Sequence, residues 1–180
     1  MRRRGAEFGP LDAGLLADPL AFLSAEHARQ RALLRHLERV ARAPGAPGTV
    51  ALARALAGWL GGELPRHLAA EAHCLHPRLA PADRASALAR LDRLLQAARE
   101  DREAVLAGLR LVAAHHPPLP GFGAAVLRFA EALRRLLAFE ESDILPIARQ
   151  ALAPDDLAEV GAEIARRTVG IDLLQRSKPD

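Results

Sequence analysis

Arg66-His67-Leu68-Ala69-Ala70-Glu71-Ala72-His73-Cys74-Leu75-His76-Pro77-Arg78-Leu79-Ala80 is the stretch around which the chain is organised. His67 and Glu71 are four residues apart, so a helix stacks them on one face. Imidazole beside carboxylate at that spacing is half of a metal site or half of an acid–base pair. The pattern returns at Arg135–Pro146. Both copies have Arg one residue before the first position, Glu four after it and Pro six after the Glu. In the second copy Leu136 stands where the first has His67, and Glu140 answers Glu71.

Outward from this stretch the chain reads as helices separated by clear breaks. Asp18-Pro19 is a helix start, Asp as N-cap and Pro in the first turn, and the helix runs to about Ala43. Its apolar stripe is Leu20, Leu23, Leu34 and Leu37, with His27 in the middle and His36 turned to solvent. Ala43–Gly48 is a Pro/Gly break. A second helix begins near Thr49 and reaches Pro77, with a kink expected where Pro65 lacks a backbone donor. A third spans about Pro81 to Ala114, with Asp101 on the shoulder of its stripe. A fourth runs from Phe122 to about Ala151, with Glu140 at the centre of its stripe. Pro154-Asp155 opens a short fifth helix, to about Arg167. The expectation is an all-α, up-down-up-down four-helix bundle over 18–151, an N-terminal arm over 1–17, and a short helix and tail over 152–180.

Composition narrows the function. Half the residues are apolar, 3% are aromatic and there is no Tyr, which favours helix over sheet. The pI of 10.2 accompanies a net charge of only +3, because Lys178 is the single lysine and arginine sets the alkaline end. The arginines are interspersed with carboxylates and aromatic stacking groups are scarce, which argues against nucleic acid as a partner. One cysteine, Cys74, excludes an internal disulfide and reads as a core thiol. No apolar run is long enough to cross a membrane, and a cytoplasmic protein is expected.

Polar groups interrupt apolar stripes on each helix: His27, His67 with Glu71, and Glu140, with Asp101 at an edge. A buried ionised carboxylate is costly unless paired or bound to a metal, and inward-facing Glu and His from several helices is how bundles build iron or manganese sites. His73 and His76 fall off the inward face by helical phase, and His115 and His116 lie in a Pro-rich turn.

The order of these motifs resembles the hemerythrin-like family, the HHE cation-binding domains, from about Asp12 to Ala151. The residues that carry it are Asp18-Pro19-Leu20-Ala21-Phe22 leading into Glu26-His27, His67-x3-Glu71 with Leu75-His76-Pro77, and Leu137-Ala138-Phe139-Glu140 with Leu145-Pro146-Ile147-Ala148-Arg149. The resemblance implies that His27, His67 and Glu71 match family ligands. It also implies that Glu140 matches the carboxylate of the second His-x3-Glu, with Glu141 a less central alternative. The family's histidine on helix three is Asp101 here, its helix-four histidine is Leu136, and Val105 replaces a further histidine of some members. One iron of the family's pair depends on those groups.

What is expected, then, is a reduced site holding at most one metal, helped by Asp101. Two imidazoles and a carboxylate with open positions suit Fe(II), with Mn(II) or Zn(II) as other occupants. The function expected is non-enzymatic: sensing or storing iron, oxygen or nitric oxide, with the metal and a small diatomic ligand as partners. The alternative is a metal-free interaction module derived from the family, its histidines and carboxylates joined in a buried polar network.

Overall fold

The structure is a computed structural model, and it describes residues 14, 17–79 and 85–176, with side chains to 167. Every regular element among them is helical. The expected N-terminal arm lies outside the described residues apart from Gly14 and Ala17, and so does the end of the tail.

Helix α1 is Pro19–Arg42. Asp18 caps it as its sequence implies. Its Oδ1 accepts from the backbone N–H of Leu20 at 3.1 Å and of Ala21 at 3.0 Å. The buried face holds Leu20, Leu23, Leu34 and Leu37, with Glu26, His27 and Gln30 among them. His36 is half-buried rather than turned fully to solvent. At the break Gly48 takes φ +78°, the left-handed conformation glycine adopts without a Cβ penalty.

Helix α2 occupies 49–79, and its internal register explains the repeat. It is α-helical over Thr49–Gly58 and Leu64–Ala70, widens to a π-turn over Trp59–Glu63 and Glu71–Leu75, and tightens to a 3₁₀ turn at His76–Leu79. A third π-turn, Glu140–Ile144, lies in helix α4 (122–151), between Phe122–Phe139 and Leu145–Ala151. Each π-turn ends two residues before a proline: Pro65, Pro77 and Pro146. The residue ahead of each proline bonds five back instead of four: Leu64 to Trp59, His76 to Glu71, and Leu145 to Glu140. The wider register accommodates a ring that would clash with the carbonyl four residues back. It also leaves the Leu60 carbonyl facing a proline without an N–H. Arg102 Nη1 donates to that carbonyl at 3.3 Å. The Glu-x5-Pro repeat therefore encodes a π-turn that starts on the carboxylate itself. The kink expected at Pro65 is the first of these turns.

Helix α3 (85–113) is two segments, Ala85–Glu100 and Arg102–Ala113, meeting at Asp101. The first half packs on α4 and the second on α2. His115 ends it at φ +63°, and the His116 N–H donates to the Leu111 carbonyl at 2.9 Å. Gly108 allows the close approach of Phe122, since a Cβ there would lie 2.2 Å from the ring.

Helix α5, Pro154–Arg176, runs past the expected end near Arg167. It lies against α1 and α2 with Val160 and Ile164 buried. The interior is one apolar cluster from all five helices, including Trp59, Phe129, Val105, Leu133 and Leu136. Among the described residues no helix is long and apolar enough to cross a membrane.

Candidate metal centre

The polar groups that the stripes predict do converge. His27, His67, Glu71 and Glu140 are all buried, between 0% and 5% exposed. His27 Nε2 lies 3.2 Å from Glu71 Oε1 and 3.4 Å from Glu140 Oε2. His67 Nε2 is 3.2 Å from Glu71 Oε2, as the i, i+4 spacing requires. The two imidazoles meet edge to face, with centroids 5.3 Å apart. Ligand atoms of His27, His67 and Glu71 lie within 4.8 Å of one another.

Glu141 has a different place from the one its position beside Glu140 suggests. Its Oε1 accepts from His27 Nδ1 at 2.9 Å, on the far side of the ring from Glu71. Its Oε2 accepts from Ser24 Oγ at 3.0 Å. Glu141 therefore orients the imidazole and directs Nε2 inward, the role carboxylates play behind metal-bound histidines. Ser24 was not singled out by the sequence pattern, because a serine three residues before His27 carries no signal of its own.

Asp101 stands apart from this group, contrary to the expectation that it helps the site. Arg128 grips both of its oxygens, Nε to Oδ2 at 2.9 Å and Nη2 to Oδ1 at 2.6 Å. Asp101 sits where α3 changes segment, at the edge of the buried stripe, and an arginine from α4 reaches it first. Val105 and Leu136 are wholly buried and bring no donor atom. His73 is exposed, as its phase predicts, and His76 is half-buried at the helix end. Cys74 is a buried thiol whose pKa burial pushes up, against the pull of Arg167.

Proton affinities follow from burial and from the neighbours. Burial pushes the Glu140 carboxyl well above the usual range, and the charges of Glu71 and Glu141 push the same way. Burial also acts to raise Glu71, but the His67 and His27 imidazoles overcome it and draw the pKa down to about 2. Burial lowers His67, which favours its neutral form. For His27 the burial penalty is outweighed by Glu71 and Glu141, so its pKa is raised. These directions favour positive charge on His27 over His67, and a proton on Glu140 over Glu71.

The clustered donors could hold a metal ion. His67 Nε2, Glu71 Oε2 and both oxygens of Glu140 are buried without a hydrogen-bond partner. His27, His67 and Glu71, whose ligand atoms come within 4.8 Å of one another, are borderline-to-hard donors of the kind Fe(II), Mn(II) and Zn(II) take, and Glu140 adjoins them at His27. At the α3 and α4 positions where the family resemblance implies further histidines, Val105 and Leu136 bring no donor atom.

A partly buried cluster beside the site carries no sequence signal of its own. Arg29 Nη2 donates to Glu26 Oε2 at 3.1 Å and to Glu63 Oε2 at 2.7 Å. It ties α1 to the first π-turn of α2.

Compared with known proteins, the family model of the hemerythrin HHE cation-binding domain matches residues 18–148. That span runs from the N-cap of α1 nearly to the end of α4. No curated protein and no solved structure matches the chain.

Proposed function

Because the chain belongs to the hemerythrin HHE cation-binding family, we propose that it holds a single iron on His27, His67, Glu71 and Glu140 and uses it to sense or store iron or a small diatomic gas. The observation that carries this reading is that buried polar atoms on His67, Glu71 and Glu140 make no hydrogen bond of good geometry, His67 and Glu71 meeting only as an ion pair at 3.2 Å. An apolar interior tolerates such atoms poorly, and a cation satisfies all of them at once. When bound, the metal supplies open coordination positions to a small ligand.

The chain's own residues do the rest. Glu141 and Ser24 fix the His27 ring so that Nε2 faces the site. Glu140 gives up its proton when a cation arrives, so metal uptake is favoured as pH rises. Leu136 and Val105 close the space where a second metal would sit and exclude water from it. The role so proposed is non-enzymatic.

A second reading has its own support. His27 already has both nitrogens engaged, with Glu71 and Glu141. A protonated Glu140 completes a polar network that needs no metal, and the bundle would then serve as an interaction module. Anaerobic purification followed by Fe(II), Mn(II) or Zn(II) titration, metal analysis and a melting curve separates the two. The proposal expects at most one metal per chain and a rise in melting temperature. It also expects both to be lost in His67→Ala. An unchanged melt with no bound metal favours the network, and two firmly held metals refute the single-site reading.

A further inference from the structure

Pro77 and Pro146 are exposed, so neither ring is kept in its helix by core packing. Proline inside a helix is costly, and an exposed one recovers none of that cost from the core. What these prolines change is the backbone ahead of them. The His76 N–H donates to the Glu71 carbonyl and the Leu145 N–H to the Glu140 carbonyl, which closes both π-turns on the inward carboxylates.

The consequence shows at His27. Glu140 Oε2 lies 3.4 Å from its Nε2 and Glu141 Oε1 lies 2.9 Å from its Nδ1, so consecutive residues reach opposite edges of one ring. On a regular helix consecutive side chains point about 100° apart and do not face a common neighbour. More residues per turn narrow that angle. Glu71 holds the same place in the other copy and spans both imidazoles, Oε1 3.2 Å from His27 and Oε2 3.2 Å from His67. Beyond each turn the chain is anchored, with Leu75 and Leu79 buried in α2 and Ile144, Leu145 and Ala148 buried in α4. A return to the four-residue register would therefore displace the carboxylate end of the turn.

We infer that Pro77 and Pro146 are positioning residues for the metal centre, each forcing a π-register that sets one copy's carboxylate against the imidazoles. This inference rests on the single-metal reading above. Pro65 supplies the comparison. It follows a turn of the same build, closed on the carbonyl of Trp59, whose side chain is buried in the apolar core. Arg102 also donates to the Leu60 carbonyl of that turn at 3.3 Å, a support independent of the proline ring.

The test is metal binding to Pro77→Ala, Pro146→Ala and Pro65→Ala, each made in the full chain. Fe(II) affinity is read anaerobically against a competing chelator, and the visible spectrum of bound Co(II) reports the geometry of the donors. Alanine removes the ring and restores an N–H, so the four-residue register becomes available. Pro77→Ala and Pro146→Ala should each weaken Fe(II) binding about 10- to 100-fold, the range for losing a group that orients a ligand, and should alter the Co(II) spectrum. Their metal-free forms should melt no lower than the native chain, because alanine suits a helix interior and proline does not. Pro65→Ala should leave affinity and spectrum native. Native affinity with an unaltered spectrum in either of the first two variants overturns the assignment of that proline. An equal loss in all three, or a loss matched by a lower metal-free melt, marks general loosening of the helix and overturns it as well. A native chain that takes up no metal removes the single-metal reading, and this inference with it.

Discussion

Replacing Glu140 by Gln should stabilise the metal-free protein above the ordinary carboxylate range and flatten its dependence on pH. Burial, with Glu71 and Glu141 nearby, raises the folded-state pKa of Glu140 well above 4.5. A group raised in this way contributes its full stability below the unfolded value and loses it as pH climbs towards the folded value. The loss is about 1.4 kcal/mol per pH unit while the folded group keeps its proton. His27, also raised, adds a loss of the same sign above 6.5. His67 and His76 are lowered, so their contribution is present above 6.5 and is lost as pH falls. Below 6.5 the opposing groups offset one another, and above it only Glu140 and His27 remain. Glu140→Gln removes the first of these and leaves the second. For a chain of this size, about 1.4 kcal/mol corresponds to roughly 3–6 °C in Tm. Thermal melts of both proteins in chelator, taken from about pH 5 upwards, should therefore diverge by up to that much per pH unit for as long as the folded Glu140 keeps its proton. Metal added to the native chain should reverse the trend, since deprotonation of Glu140 then assists binding. If both proteins lose stability with pH at the same rate, Glu140 is not the buried proton carrier and the charge assignment fails.

Other changes probe the neighbouring parts. Glu141→Gln leaves every inward-facing donor in place but loosens the His27 ring, so metal affinity should fall about 10- to 100-fold in a competition titration. Leu136→His with Val105→His should let the chain bind a second iron. The metal-free form should lose on the order of 1–3 kcal/mol through lost packing and unpaired imidazoles, and a metal count that stays at one would refute this. Gly108→Ala places a Cβ against the Phe122 ring and should cost about 1–3 kcal/mol in denaturant melts by separating α3 from the start of α4.

The sequence by itself determined what is local. Asp18-Pro19 starts a helix because a carboxylate caps free N–H groups and proline fits the first turn. The Pro/Gly runs at Ala43–Gly48 and at His115–Gly121 end helices for equally local reasons. His27, His67, Glu71 and Glu140 interrupt apolar stripes, and a stripe has only the bundle interior to face, so their convergence was legible. The repeat of Glu-x5-Pro was visible as well, although its meaning as a π-turn was not, because only the hydrogen-bond register shows it.

Tertiary structure decided the roles. Asp101 and Glu141 are both carboxylates beside a predicted inward position, and nothing in their local sequence separates them. Arg128, 27 residues from Asp101, captures the first. His27, 114 residues from Glu141, receives the second on the side away from Glu71. The raised proton affinity of Glu140, the outer contact of Ser24 and the unpaired carboxamide of Gln30 are of the same kind. Helical periodicity fixes which face a side chain occupies, whereas its partner, charge state and task depend on which other helix arrives opposite it. That is set by packing between elements far apart in the chain.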